Sequence, residues 1–222
     1  MKIGLLTYEK PHRKTQDILF RLLAVGYKDI VIIPYPWENR KIHTPLFPHR
    51  PTECIDILPE DLAINLGIEV LPINHYRELS KFDDWIDFFI IGGAGIIGYI
   101  PEKPIINVHP GIIPKARGLD ALKWSIYKGV DTGITVHQIN EKIDSGKIIY
   151  SEIIHPMPGE EFYHFAMRIY EHEINALVKY FTKTGSNVET SIYEKIISTT
   201  TKRMSHAEEL KCMAMYRSQT TI

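Results

Sequence analysis

Residues 2–34, KIGLLTYEKPHRKTQDILFRLLAVGYKDIVIIP, read as strand, helix and strand. Lys2 to Tyr8 is a short apolar run with no helical period, followed by a polar loop. Thr15 can cap the next element, where Ile18, Leu19, Leu22 and Leu23 share one helical face and Gly26 marks the end. Asp29 to Pro34 is rich in β-branched residues and reads as a second strand. Two strands joined through a helix favour a parallel sheet covered on both faces. The fold class expected is therefore α/β, a Rossmann-like, mostly parallel sheet flanked by helices.

The rest of the chain continues this texture. Pro59 to Leu66 reads as a short helix with Pro in its first turn and Gly67 at its end. Further strands are expected at Ile68 to Pro72, Trp85 to Gly92, Pro104 to His109, Gly133 to Ile139 and Gly146 to Ile154. Helices are expected at Gly118 to Lys128, Glu160 to Tyr180 and Ala207 to Tyr216, with a strand-like stretch at Ser191 to Ile197. Tyr35 to Glu53 is interrupted by prolines and has no period, so it reads as a long loop; such loops are either functional or bland surface excursions.

Composition sets the boundaries. With 222 residues, 44% apolar and 24% charged, the chain is an ordinary globular one, too apolar to be disordered. Lys and Arg number 26 against 27 Asp and Glu, so no broad basic face for nucleic acid is expected. No apolar stretch reaches the roughly 18 residues of a membrane helix. The start turns polar too early for a secretory signal, which points to a cytoplasmic enzyme. Cys54 and Cys212 stand far apart outside any Cys/His cluster, so neither a disulfide scaffold nor a metal site is expected.

Gly93-Ala94-Gly95-Ile96-Ile97-Gly98 is a literal GxGxxG after a strand. A dinucleotide site needs a crossover helix there, but Pro101 and Pro104 follow at once and the next strand begins at Ile105. The motif also follows the fourth strand, not the first. A nicotinamide or flavin site is rejected; the glycines are read as bare backbone against which a flat ligand can lie.

Chemistry concentrates in Ile106 to Gly118, INVHPGIIPKARG. Asn107 and His109 are two apart at the carboxyl end of a strand, the edge where open α/β sheets place ligands. Asp144 lies in a loop ahead of Gly146. An amide, an imidazole and a carboxylate are the parts for stabilising a developing oxyanion and moving a proton. Taken singly, each is more often structural: a hydrogen-bonded His, a turn-forming Asn, a loop Asp. His164 and His172 on one helix, without HExxH, read as surface or packing residues.

The block from Ile106 to Ile153 resembles the core of the folate-dependent formyltransferases, and the resemblance extends more weakly over residues 1 to about 180. The block carries Asn-x-His-Pro, then Ile112-Ile113-Pro114, Arg117-Gly118 opening a helix with Trp124, Gly133-x-Thr135-x-His137 and Asp144-x-Gly146. The resemblance implies a formyltransferase domain over 1–181 and a C-terminal extension, 182–222, packing on it. It implies a catalytic trio of Asn107, His109 and Asp144, and 10-formyltetrahydrofolate as formyl donor. The donor's pterin would lie on Gly93, Ala94, Gly95, Ile96 and Ile97 and on Ile139, Asn140 and Glu141. The acceptor would meet Tyr8, Lys10, Pro110, Gly111, Lys115 and Arg117. Gly111 departs from the Ser often found after His-Pro, and His137 is placed behind the donor site. The resemblance requires neither a metal nor a covalent enzyme intermediate.

Three acceptors compete. A tRNA acceptor is set aside, since neither an extra barrel nor basic character is present. A glycinamide ribonucleotide acceptor asks for a glycine-rich phosphate loop; Thr7 to Thr15 has no glycine, and Pro11 removes a backbone donor. An amino sugar carried on a nucleotide diphosphate remains, with Tyr8 or Trp37 stacking on the base and Arg40, Lys41, His43 and Arg50 available to a diphosphate. The other class of reading is a formyltetrahydrofolate hydrolase, which would release formate without any amine. Oligomeric state stays open, a homodimer included.

Overall fold

The computed structural model describes residues 1–37, 43–182, 191–192 and 199–221. Its backbone contacts divide into two units interleaved along the chain. One comprises Met1–Arg40, Thr52–Asn107 and Leu177–Thr184, the other Lys41–Pro51, Val108–Ala176 and Gly185–Ile222.

The first unit is built on parallel strands. β1 (Ile3–Tyr8) lies between β2 (Ile30–Tyr35) and β4 (Phe88–Ile91), with β3 (Glu69–Val70) beyond β2 and β5 (Ile105–His109) beyond β4. Ile3, Leu5, Ile32, Ile33, Phe89 and Ile90 are completely buried, as expected for strands covered on both faces. That burial explains why these runs read as continuous apolar stretches, not as alternating ones. α1 (Arg13–Ala24) buries Ile18, Leu19 and Leu22, the face the spacing predicts. The helix begins two residues before Thr15, however, and His12 is its N-cap. The Thr15 hydroxyl instead lies 2.8 Å from that of Thr7 and 3.0 Å from His12 Nδ1, so a tertiary partner takes the group expected to cap. α2 (Pro59–Leu66) closes at Gly67 as read, and a 3₁₀ helix over Tyr76–Phe82 has no counterpart in the sequence reading.

The second unit holds α3 (Ala121–Lys128), β6 (Gly133–Gln138), β7 (Lys147–Ile153), most of α4 (Phe162–Thr182), β8 (Ser191–Ile192) and α5 (His206–Thr220). β6 and β7 pair antiparallel with a shift of register between Val136 and His137, and β8 continues the antiparallel order on β7. Leu122 and Ile126 of α3, Phe165 and Ile169 of α4, and Cys212, Met213 and Tyr216 of α5 form one apolar cluster with Ile134. The extension beyond residue 181 thus contributes α5 to this core. Of the strand expected at Ser191 to Ile197, residues 193–197 lie outside the described residues, as do Arg40 and Lys41. Among the described residues, no helix is long and apolar enough to cross a membrane.

A buried charged group sits inside this unit. Lys123 and Glu209 are both fully buried and form an ion pair, with Asp120 3.7 Å from the same ammonium. His49 Nε2 lies 3.6 Å from Asp120 Oδ1. Burial first, then the positive charge of Lys123, pushes the His49 imidazole down to about 3; the attraction of Asp120 works the other way and is weaker. A histidine held below its ordinary value is neutral in the folded protein and charges on unfolding, so stability is lost as pH falls from about 6.5 towards 3. His49→Gln should flatten the dependence of urea-unfolding free energy on pH between about 7 and 4.5, where one such group contributes up to about 1.4 kcal/mol per pH unit. Equal slopes in the two proteins would contradict this.

Candidate active site

β5 ends in Asn107-Val108-His109, and Pro110 and Gly111 turn the chain out of the strand. Alternate strand residues share a face, so Asn107 and His109 leave β5 on the same side. Asn107 is half-buried, in the first unit.

The remaining groups here belong to the second unit. His109 is buried; its Nε2 lies 3.1 Å from the Ala116 carbonyl and its Nδ1 3.4 Å from Asp144 Oδ2. Two oxygens on opposite sides therefore fix the ring. Asp144 has a left-handed φ of 42°, a conformation that Asp tolerates better than most residues. Its turn is held from several directions. Asn140 Oδ1 accepts from the Lys142 N–H at 2.9 Å and the Ser145 hydroxyl at 3.0 Å, and His137 Nδ1 meets the Ser145 carbonyl at 3.1 Å. The Arg117 guanidinium donates to the Asp144 carbonyl at 2.8 Å and the Ile143 carbonyl at 2.5 Å. The Gly118 N–H reaches Asp144 Oδ2 at 2.7 Å. A backbone carbonyl, two guanidinium donors and an amide thus set one imidazole–carboxylate pair.

Several side chains assigned to the acceptor are engaged with the protein. Arg117 is buried on the Ile143–Asp144 backbone, and Lys115 Nζ pairs with Asp131 at 2.9 Å on the surface. At Gly111, an added Cβ would stand 3.0 Å from that of Ala116 and 3.1 Å from that of Ala121, so close packing of the following loop favours glycine here. Pro110 beside it is half-buried.

In the first unit, the turn Gly93 to Ile97 follows β4. A Cβ at Gly93 would come within 2.8 Å of the Tyr8 ring and 2.9 Å of the His12 ring. The bareness read as a ligand surface is used, at this residue, by the protein's own aromatic side chains. Tyr8 donates to the Ala94 carbonyl at 2.5 Å, and the Gly95 N–H donates to the Tyr76 hydroxyl at 2.9 Å. Ile97 is buried, whereas Ile96 is 68% exposed. Trp37 meets Tyr8 edge-on, ring centroids 4.6 Å apart, and Lys10 Nζ lies 3.7 Å over the Trp37 ring. On the 139–144 loop, Asn140 and Glu141 are exposed and Ile139 is half-buried. Sequence reasoning left the roles of Tyr76, Thr135 and Thr201 unseen; Thr135 accepts from the Ile113 N–H and donates to the Gly111 carbonyl, bracing the loop after His109.

Residues 90–181 match the family model described as formyl transferase. The methionyl-tRNA formyltransferase of Buchnera aphidicola is 32% identical over 208 residues, covering 91% of this chain and 56% of that protein. The chain spans about half the length, or less, of the curated relatives it matches. Among solved structures, a sugar N-formyltransferase from Shewanella has a TM-score of 0.61 at 15% identity, covering 97% of this chain and 88% of its own. A phosphoribosylglycinamide formyltransferase from Campylobacter jejuni has a TM-score of 0.61 at 18% identity, covering 84% and 98%. The matched stretch, residues 90–181, runs from the end of β4 through β5 and the Asp144 turn into α4, so this part of the chain is similar to the formyl transferase family.

Proposed function

We propose that the protein transfers a formyl group from 10-formyltetrahydrofolate to a primary amine, and that the amine belongs to a nucleotide-linked amino sugar. The observation that carries the reading is the pair of buried His109 and half-buried Asp144, 3.4 Å apart, within the family-matched residues. When bound, the donor supplies a formyl carbon activated on N10. Attack forms the new C–N bond, the C–N10 bond breaks, and the amine proton passes to N10. His109 Nε2–H, which faces the Ala116 carbonyl, is the donor for which the formyl oxygen competes as it gains charge. The Asn107 amide is the second donor. Asp144 holds the ring from Nδ1 and helps a water carry the proton.

Main-chain groups suit the donor. Among the described residues, the backbone of Ile96 and Ile97 has no hydrogen-bond partner, which leaves polar groups for a heterocycle at the β4 turn.

Support for the sugar comes from the glycine-free loop after β1, from the cation-capped Trp37 beside Tyr8, and from the near full-length likeness to the Shewanella structure. The second reading, glycinamide ribonucleotide, is favoured by the Campylobacter likeness. The test is relative kcat/KM, with 10-formyltetrahydrofolate, for a thymidine-diphosphate-linked amino sugar, glycinamide ribonucleotide and methionyl-tRNA. The sugar should be preferred by at least about tenfold, a difference of roughly 1.4 kcal/mol in transition-state binding. Preference for either other acceptor would overturn the sugar and keep formyl transfer; formate release without any amine would mean a hydrolase.

A further inference from the structure

Thr201 lies twenty residues beyond the family-matched stretch, yet it is bonded into the loop that holds Asp144. Its N–H donates to the Arg117 carbonyl at 2.8 Å, and its own carbonyl accepts from the Leu119 N–H at 3.0 Å. This makes a parallel bridge across Gly118. Its hydroxyl stands 2.7 Å from the Arg117 carbonyl and 2.8 Å from the Leu119 carbonyl, so one proton serves two acceptors. The fit is close: Gly118 has a φ of 93°, and a Cβ there would lie 2.6 Å from the Thr201 nitrogen. Only glycine adopts that conformation without strain and leaves room for the bridge. Neighbouring groups anchor the segment: Trp124 Nε1 donates to the Lys202 carbonyl at 2.7 Å, and the Met204 N–H donates to Asp120 Oδ2 at 3.0 Å.

The bridged residues are the ones that grip Asp144. Arg117 holds its backbone in a left-handed conformation, and the Gly118 N–H holds Oδ2, the oxygen that faces His109. We propose that Thr201 is a positioning residue: by fixing the Arg117–Leu119 backbone it aims the Gly118 N–H at Asp144 and so sets the carboxylate against His109. The proposal rests on the formyl-transfer reading of that pair and adds a dependence on the C-terminal segment. Thr201 touches neither donor nor acceptor in this role; it acts through Gly118 and Asp144. A misplacement of about 1 Å in a reacting group can cost roughly a hundredfold in rate, and losing one of several restraints should cost less.

The experiment compares Thr201→Val, which keeps the shape and removes the hydroxyl, with Thr201→Ser, which restores it. Both are assayed with 10-formyltetrahydrofolate and a thymidine-diphosphate-linked amino sugar or glycinamide ribonucleotide. Thr201→Val should lower kcat about tenfold with acceptor KM within about twofold, and Thr201→Ser should recover it. On an Asp144→Asn background, Thr201→Val should cost less than about twofold more, because its effect passes through that carboxylate. Independently of activity, amide exchange of Gly118 should quicken at least about tenfold in folded Thr201→Val. Unchanged Gly118 exchange overturns the proposal, as does wild-type kcat in Thr201→Val or an undiminished further loss on the Asp144→Asn background. If Asp144→Asn itself keeps full activity, the formyl-transfer reading fails, while Gly118 exchange still decides what Thr201 holds.

Discussion

His109→Ala and Asp144→Asn should each lower turnover by about two orders of magnitude or more, with Asn107→Ala close behind, while the protein stays folded. The oxygen of the formyl group gains charge as the amine attacks, and a fixed donor aimed at developing charge is worth about a hundred- to a thousandfold in rate. His109 is fixed in this way by Ala116 on one side and Asp144 on the other. Asp144→Asn is the sharper probe. Asn tolerates the left-handed φ of 42° that Asp144 occupies and can still accept from the Gly118 N–H, so the turn keeps its shape. What it removes is the negative charge facing the imidazole. Thermal unfolding and circular dichroism would verify the fold, and single-turnover kinetics would measure the chemical step. Turnover within about threefold of wild type in His109→Ala would sink the mechanism.

The second large effect is on stability. Lys123→Met should destabilise the protein by about 3–5 kcal/mol, because it leaves the fully buried Glu209 carboxylate without its cation and takes one of two cations from Asp120, which keeps Arg203. Met matches the length of the lysine stem, so little of the loss comes from a cavity. Adding Glu209→Gln should recover more than half. The Gln carbonyl oxygen can still accept from the Leu46 N–H, now bonded to Glu209 Oε2 at 2.7 Å, and one stranded charge is gone. Denaturant titration of the two variants would decide. A single-variant loss below about 1 kcal/mol would show that the pair is replaceable.

The Thr201 variants and the Lys123 pair probe the same segment at two levels. Lys123, Asp120 and Glu209 tie α3 to α5, and Cys212 Sγ donates to the Lys123 carbonyl at 3.2 Å. The extension is thus held by buried charge as well as by the apolar cluster.

Local pattern alone determined most of the elements, the 3₁₀ helix at Tyr76–Phe82 excepted. Continuous apolar runs marked β1, β2 and β4, and helical spacing gave the buried face of α1. Pro59 and Gly67 bounded α2 because each favours one end of a helix by its own backbone preference. Asn107, His109 and Asp144 stand out in sequence only through a resemblance, and it is the structure that sets His109 3.4 Å from Asp144. Only tertiary structure decided how the other groups are used. Thr15 loses its capping role to Thr7 and His12; Gly93 is bare for Tyr8 and His12; Arg117 spends its guanidinium on backbone carbonyls. Nothing local in the sequence marks Lys123 as buried or Thr201 as bridged to Gly118. Most of these contacts join residues far apart along the chain, and even Thr15 meets Thr7 from eight residues away. A hydrogen-bonding group carries no local mark of its partner, whereas a strand or helix must satisfy its own repeat within a few residues.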